Sequence, residues 1–326
     1  TVANEFPCWT FYFADFHPHL IVMPITVAAL GLLLAFFRRN ADWMRVGATH
    51  ASPLHASVHT VSAPDWRILI WFSLVLGTII CTNTWDFPAL AIVLALVLFL
   101  RFKACSPFVH RRIETGSWLT PCGLSVLVWD LVLPLIVTIF LAWLLFLPFH
   151  HHFVARVTSL HWVTEGNTPL STLLVFFGIL FWPIVTFLLW RLVFPRGLTD
   201  FRPKRLTAIV LFSAAVFALA LYVNRTNPLG YPAPQKHYEG WSMPSDYRAA
   251  AFLLPFLVLS AAFALFGKRE ADERFAHILG ILGLGILFGC EFVYLKEIWS
   301  EPMHRYNTIF KFYLQAWIYL CLFGAI

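Results

Sequence analysis

Nine apolar runs, each near the ~20 residues that carry an α-helix across a bilayer, divide the chain at 20–37, 67–82, 87–101, 124–147, 170–190, 206–223, 249–267, 275–292 and 308–326. Such runs leave few options. In hydrocarbon each backbone N–H and C=O needs a partner from the protein itself, so spanning segments are helices or closed barrels, and continuous apolar runs of this length point to helices. Composition agrees: 60% of the 326 residues are hydrophobic and 12% charged, against ~25% charged in soluble domains, and mean hydropathy is +0.74. The expected fold class is all-α, a polytopic integral membrane protein with about nine transmembrane helices forming a single transmembrane domain over 1–326. A soluble enzyme, a disordered chain and a disulfide scaffold are excluded. The chain opens on Thr1 and stops at Ile326 inside an apolar run, so both ends read as truncated.

The second and third runs are separated only by Asn83-Thr84-Trp85-Asp86, with Pro88 just beyond, which predicts a tight helical hairpin. Assigning loops alternately to the two sides puts seven of the 23 Lys and Arg on one side (Arg156, Arg225, Lys236, Arg248, Lys296, Arg305 and Lys311) and the rest on the other. The positive-inside rule makes the richer side cytoplasmic. The expected location is the cell membrane, with the polar clusters on the extracytoplasmic face. The net charge of +6 is scattered between apolar runs and forms no basic stripe of the kind nucleic acid requires, so no nucleic-acid partner is expected. The six cysteines show no metal-ligand spacing and read as small apolar fillers.

Three outer constellations can carry chemistry. Asn4-Glu5-Phe6-Pro7 and Ala14-Asp15-Phe16-His17-Pro18-His19 precede the first span. Asp15, His17 and His19 can ligate a divalent metal (Mg or Mn) or exchange protons near neutral pH; equally, Asp15 can cap the helix and the histidines can sit as polar tips at the interface. In the hairpin, Asp86 can point a carboxylate at a cation or sugar hydroxyl, but capping by Asn83, Thr84 and Asp86 is the favoured reading. The third lies near the C-terminal end. Glu291 precedes Arg305, and Asn307, Lys311 and Gln315 recur at i, i+4 and i+8, one helical face. A Lys inside a span costs ~3 kcal/mol on insertion scales unless it meets a cavity or partner. Lys311 is thus a candidate for binding an anionic ligand, with Arg305 suited to phosphate by its planar fork; the alternative is that Lys311 snorkels or pairs with Glu291. Asp130, deep in the fourth run, needs a partner or an aqueous pocket.

At these residues the chain resembles the DUF2298 family of multispanning membrane proteins, also called the YYY family. Its pattern of NEFP, an aromatic run, a D-x-H-P-H motif, an NTWDFP hairpin and a late R-x-N-T-x-F-K-F-Y-x-Q helix is similar to residues 4–7, 14–19, 83–88 and 305–315 here. That family is grouped with GT-C glycosyltransferases. The resemblance implies a GT-C-like helical bundle whose active face is extracytoplasmic, with a sugar passing from a polyprenyl-phosphate donor, held among membrane lipid, to an acceptor whose identity is open. It implies roles for Asp15 as metal ligand or general base, for Glu5, Asp86 and Glu291 as supporting acids, for Arg305, Asn307, Lys311 and Gln315 as substrate-binding residues, and for His17 and His19 beside the metal. It also implies a first outer loop ahead of NEFP, where the catalytic base of such enzymes commonly lies. The runner-up is a transporter or flippase for an anionic or lipid-linked solute.

Overall fold

The computed structural model describes residues 18–49, 64–105, 127–154, 157–163, 166–193, 247–266, 270–297 and 305–325. Its elements run α1 (Pro18–Thr49), α2 (Trp66–Thr82), α3 (Asp86–Cys105), a π-helical turn (Val128–Val132) leading into α4 (Leu133–Leu145), α5 (Leu147–His152), β1 (Val157–Trp162), α6 (Leu170–Val193), α7 (Arg248–Leu265), α8 (Ala271–Gly289), β2 (Val293–Glu297) and α9 (Tyr306–Ala325). The protein is an all-α membrane protein carrying one short two-stranded ribbon. Eight of the nine expected apolar runs fall on these helices, and the run 206–223 lies outside the described residues. Among the described residues five segments are long and apolar enough to cross a membrane: Leu20–Arg39, Val128–Leu145, Leu170–Arg191, Arg248–Leu265 and Thr308–Ala325.

The described residues fall into two compact units, one within 18–153 together with 270–275, the other within 154–269 together with 276–326. In the first, α1 packs on α2 and α3, and α2 on α4. Close approach of α2 and α4 depends on Gly77, where an added Cβ would lie 2.2 Å from the Phe146 ring and 2.7 Å from the Ala142 carbonyl oxygen. Small residues at such crossings are the usual means of packing helices in lipid. Hydroxyls inside α2 return their hydrogen bonds to the preceding turn (Ser73 Oγ to the Leu69 carbonyl, 2.8 Å; Thr78 Oγ1 to Leu74, 3.0 Å), which removes their cost in hydrocarbon. Asp65 caps α2 by accepting the Arg67 N–H and pairs with Arg39 at 2.9 Å. Arg38 forms a bidentate bridge to Asp272 at 2.5 and 2.6 Å.

Arg101 departs from its expected place in a solvated basic loop. It is fully buried in α3 and donates from Nη1 to Asp130 Oδ1 at 3.0 Å, supplying the partner that Asp130 needs. Asp130 sits in the π-helical turn, where the Leu133 N–H reaches the Val128 carbonyl five residues back. Pro134 explains the turn: without an N–H it cannot close the α-helical bond to Asp130, and the wider turn re-satisfies the backbone.

The second unit packs α6 against α7 and α9. The α8–α9 contact rests on two glycines. A Cβ at Gly280 would lie 2.5 Å from the Phe323 ring, and one at Gly283 2.6 Å from Leu320 Cγ. β1 and β2, 131 residues apart between Trp162 and Val293, pair antiparallel with Leu160 opposite Leu295, His161 opposite Tyr294 and Trp162 opposite Val293. The sequence does not announce this ribbon, because strands of six and five residues are too short for a periodic signal.

Candidate functional site

The chemically richest cluster of the second unit surrounds Glu291, in the turn that ends α8. The turn is closed by the Cys290 N–H on the Ile286 carbonyl (3.0 Å) and the Glu291 N–H on the Phe288 carbonyl (3.1 Å). The Glu291 carboxylate, 1% exposed, accepts three hydrogen bonds: the Thr168 N–H on Oε2 at 2.8 Å, and Arg305 Nη2 and the Tyr313 hydroxyl on Oε1, each at 3.1 Å. Asn167 Nδ2 donates to the Glu291 carbonyl at 2.8 Å, and Tyr313 and Thr168 hydroxyls lie 2.8 Å apart. Three chain segments therefore converge at one carboxylate.

Arg305 is 3% exposed and its fork is divided among protein acceptors. Nη1 donates to the Gly166 carbonyl, and Nη2 to the Cys290 carbonyl as well as to Glu291. Gly166 can offer that carbonyl because its φ is +72°, a left-handed conformation that costs glycine little. A buried carboxylate is tolerable only when paired and hydrogen-bonded, and both conditions are met here. Sequence analysis selects both residues for chemistry; the structure brings them together and joins them to each other. The two terminal nitrogens of Arg305 are engaged inside the protein. Asn167, Thr168 and Tyr313 are functional neighbours that sequence analysis misses, since only the fold brings them to Glu291.

Lys311 follows on α9, inside the candidate span that starts at Thr308, and is half-buried. Lys311 and Gln315 stand one turn apart on this helix. Gln315 is buried; the Asn307 side chain lies outside what is described. Thr308 turns its hydroxyl to the Leu295 N–H at 2.9 Å, tying the start of α9 to β2.

Asp86 belongs to the first unit. It is buried, accepts Thr26 Oγ1 at 3.1 Å and Asn83 Nδ2 at 2.9 Å, and opens α3, while Asn83 caps the end of α2. Thr84 Oγ1 bonds the Ile80 carbonyl at 2.9 Å. The Asp86 carboxylate is thus held by two side chains, one of them Thr26 of α1, a partner the sequence does not indicate. Glu5, Asp15 and His17 lie outside the described residues, as does the side chain of His19. Among the described residues no three His, Cys, Asp or Glu side chains gather to hold a metal ion. The His150–His152 run ends α5, with the His150 ring stacked 5.8 Å from Trp143.

The family model described as "Uncharacterized membrane protein (DUF2298)" matches residues 1–320. The chain belongs to the DUF2298 family. No curated protein and no solved structure matches it. In this DUF2298 chain both the Glu291–Arg305 cluster and the Asn83–Asp86 turn fall inside the matched region, as does the helix that carries Lys311.

Proposed function

We propose that this DUF2298 protein is a membrane glycosyltransferase of the GT-C type, moving a sugar from a polyprenyl-phosphate donor to an acceptor on the extracytoplasmic face. One observation supports the reading: Lys311 follows three residues after the start of the candidate span Thr308–Ala325, on a helix whose start is tied down by the buried Glu291–Arg305 pair. Electrostatic catalysis needs a charge held in place before the reaction, at the position where opposite charge develops. In sugar transfer from a lipid phosphate that charge grows on the departing phosphate. In this reading Lys311 meets it as a point charge carried on α9, and Asn307 and Gln315 are its partners in binding the donor. Arg305 and Glu291 serve as positioning residues that fix the start of α9. Asp15 acts as general base or metal ligand, with Glu5 beside it, His17 and His19 complete the proposed metal set, and Asp86 holds the hairpin.

The test is donor turnover. Protein reconstituted in lipid vesicles with a polyprenyl-phosphate sugar should release the lipid phosphate, and Lys311→Met should abolish release while expression and melting temperature are kept. Full activity in that variant removes the phosphate role. Release unchanged by EDTA removes the metal from Asp15, His17 and His19.

A further inference from the structure

The β1–β2 ribbon has two unlike faces. Opposed residues of an antiparallel pair share a face, and successive residues alternate between faces. The register therefore puts Leu160, Trp162, Val293 and Leu295 on one side and Ser159, His161, Tyr294 and Lys296 on the other. The polar side makes its own contacts: Ser159 Oγ lies 2.7 Å from His161 Nε2, and the His161 ring rests 5.6 Å from that of Tyr294. On the apolar side Leu160 is 66% and Trp162 74% exposed, while Val293 and Leu295 are half-buried.

The ribbon is mounted rigidly. At its base the Val163 N–H bonds the Phe292 carbonyl at 2.8 Å, Leu295 is tied to Thr308 at 2.9 Å, and the buried Glu291 cluster holds the flanking segments. Its base also adjoins a candidate span: the Leu295 N–H bonds the hydroxyl of Thr308, the residue at which the segment Thr308–Ala325, long and apolar enough to cross a membrane, begins. After β1 the chain enters α6 at Leu170, where the exposed residues Val175, Ile179 and Trp182 are again apolar and recur along one stripe.

We infer that the ribbon is a membrane-surface docking element, with Leu160, Trp162, Val293 and Leu295 laid on the boundary between lipid headgroups and acyl chains. Trp is the side chain most suited to that boundary, and an amphipathic element held parallel to the surface binds by the apolar area it sinks there. The occupant is lipid because the ribbon's base adjoins a candidate span and its apolar face has no charge with which to select a polar ligand. Ser159, His161, Tyr294 and Lys296 are left on the aqueous side.

Photocrosslinking in the full chain tests this. p-Benzoylphenylalanine is placed singly at 160, 162, 161 and 294, and each protein is reconstituted in vesicles of tritiated phosphatidylcholine and irradiated. The probes at 160 and 162 replace exposed side chains, so the packing beneath them is kept. Lipid label should be several-fold higher from 160 and 162 than from 161 and 294. Equal labelling at the four positions, or crosslinks from 160 and 162 to a second polypeptide in place of lipid, overturns the inference.

Discussion

Glu291 and Arg305 stand 3.1 Å apart with almost no exposure to solvent, and each has further partners in the segment Gly166–Thr168. The pair thus joins the end of α8, the approach to α6 and the start of α9 at one point. Removing one member of a buried pair strands the other charge, at a cost of about 3–5 kcal/mol, whereas replacing both by apolar groups of similar volume costs far less. Glu291→Leu and Arg305→Met should each lower the melting temperature in detergent sharply, and the double variant should recover most of the loss. Additive losses would show that the two side chains act independently.

The Arg101–Asp130 pair makes the same prediction inside the first unit, at 3.0 Å and with Arg101 fully buried. Asp130→Ala should destabilise by about 3–5 kcal/mol, and Asp130→Asn by less, since the amide oxygen still accepts from Nη1. A double-mutant cycle with Arg101→Met, read by thermal denaturation, should give a coupling of more than about 1 kcal/mol for groups in direct contact.

Glycines separate cleanly into two classes. At Gly77 and Gly283 a Cβ meets neighbours at 2.2 and 2.6 Å, while at Gly31 nothing lies within 4 Å. Gly283→Leu and Gly77→Val should each cost at least about 1–3 kcal/mol through overpacking. Gly31→Ala should be neutral or stabilise by about 0.4–1 kcal/mol, because alanine loses less backbone freedom on forming a helix. Melting temperatures of the three variants in one detergent check the ranking.

Pairing of β1 with β2 constrains the topology. Both strands lie on the same side of the membrane, so the chain between Trp162 and Val293 crosses an even number of times. Of the described helices between them, α6 and α7 are long and apolar enough to cross, and the apolar runs 206–223 and 275–292 are the two further crossings that the sequence offers. Epitope tags inserted near residue 200 and near residue 235 should therefore be accessible from opposite sides of sealed vesicles. Tags accessible from the same side would refute a crossing at 206–223.

Much of the fold is legible in the sequence because lipid sets a simple length rule, and the apolar runs that meet it lie on helices. The Asn83–Asp86 turn is legible for a local reason: two helix ends four residues apart need side-chain caps. Partners distant in the chain are not. Arg101 reads as one more cytoplasmic charge because the rule that orients the protein counts positive residues without asking which are buried. Glu291 is recognisable as a residue in need of a partner, yet local sequence offers both Arg305 and Lys311, and only the fold shows that Arg305 is the one it meets. Thr26, Asn167, Thr168 and Tyr313 give no signal at all, since a single hydroxyl or amide in an apolar run is ordinary until its acceptor is known.

The missing side chains at Gly280 and Gly283 have a mechanical consequence. With Phe323 and Leu320 seated in those notches, α8 and α9 cannot slide or roll past one another without a clash, and they tilt as one stiff lever. Glu291 and Arg305 couple the pair again at its far tip. Any displacement of α9 that shifts Lys311 must then carry β2 with it, because Thr308 holds Leu295.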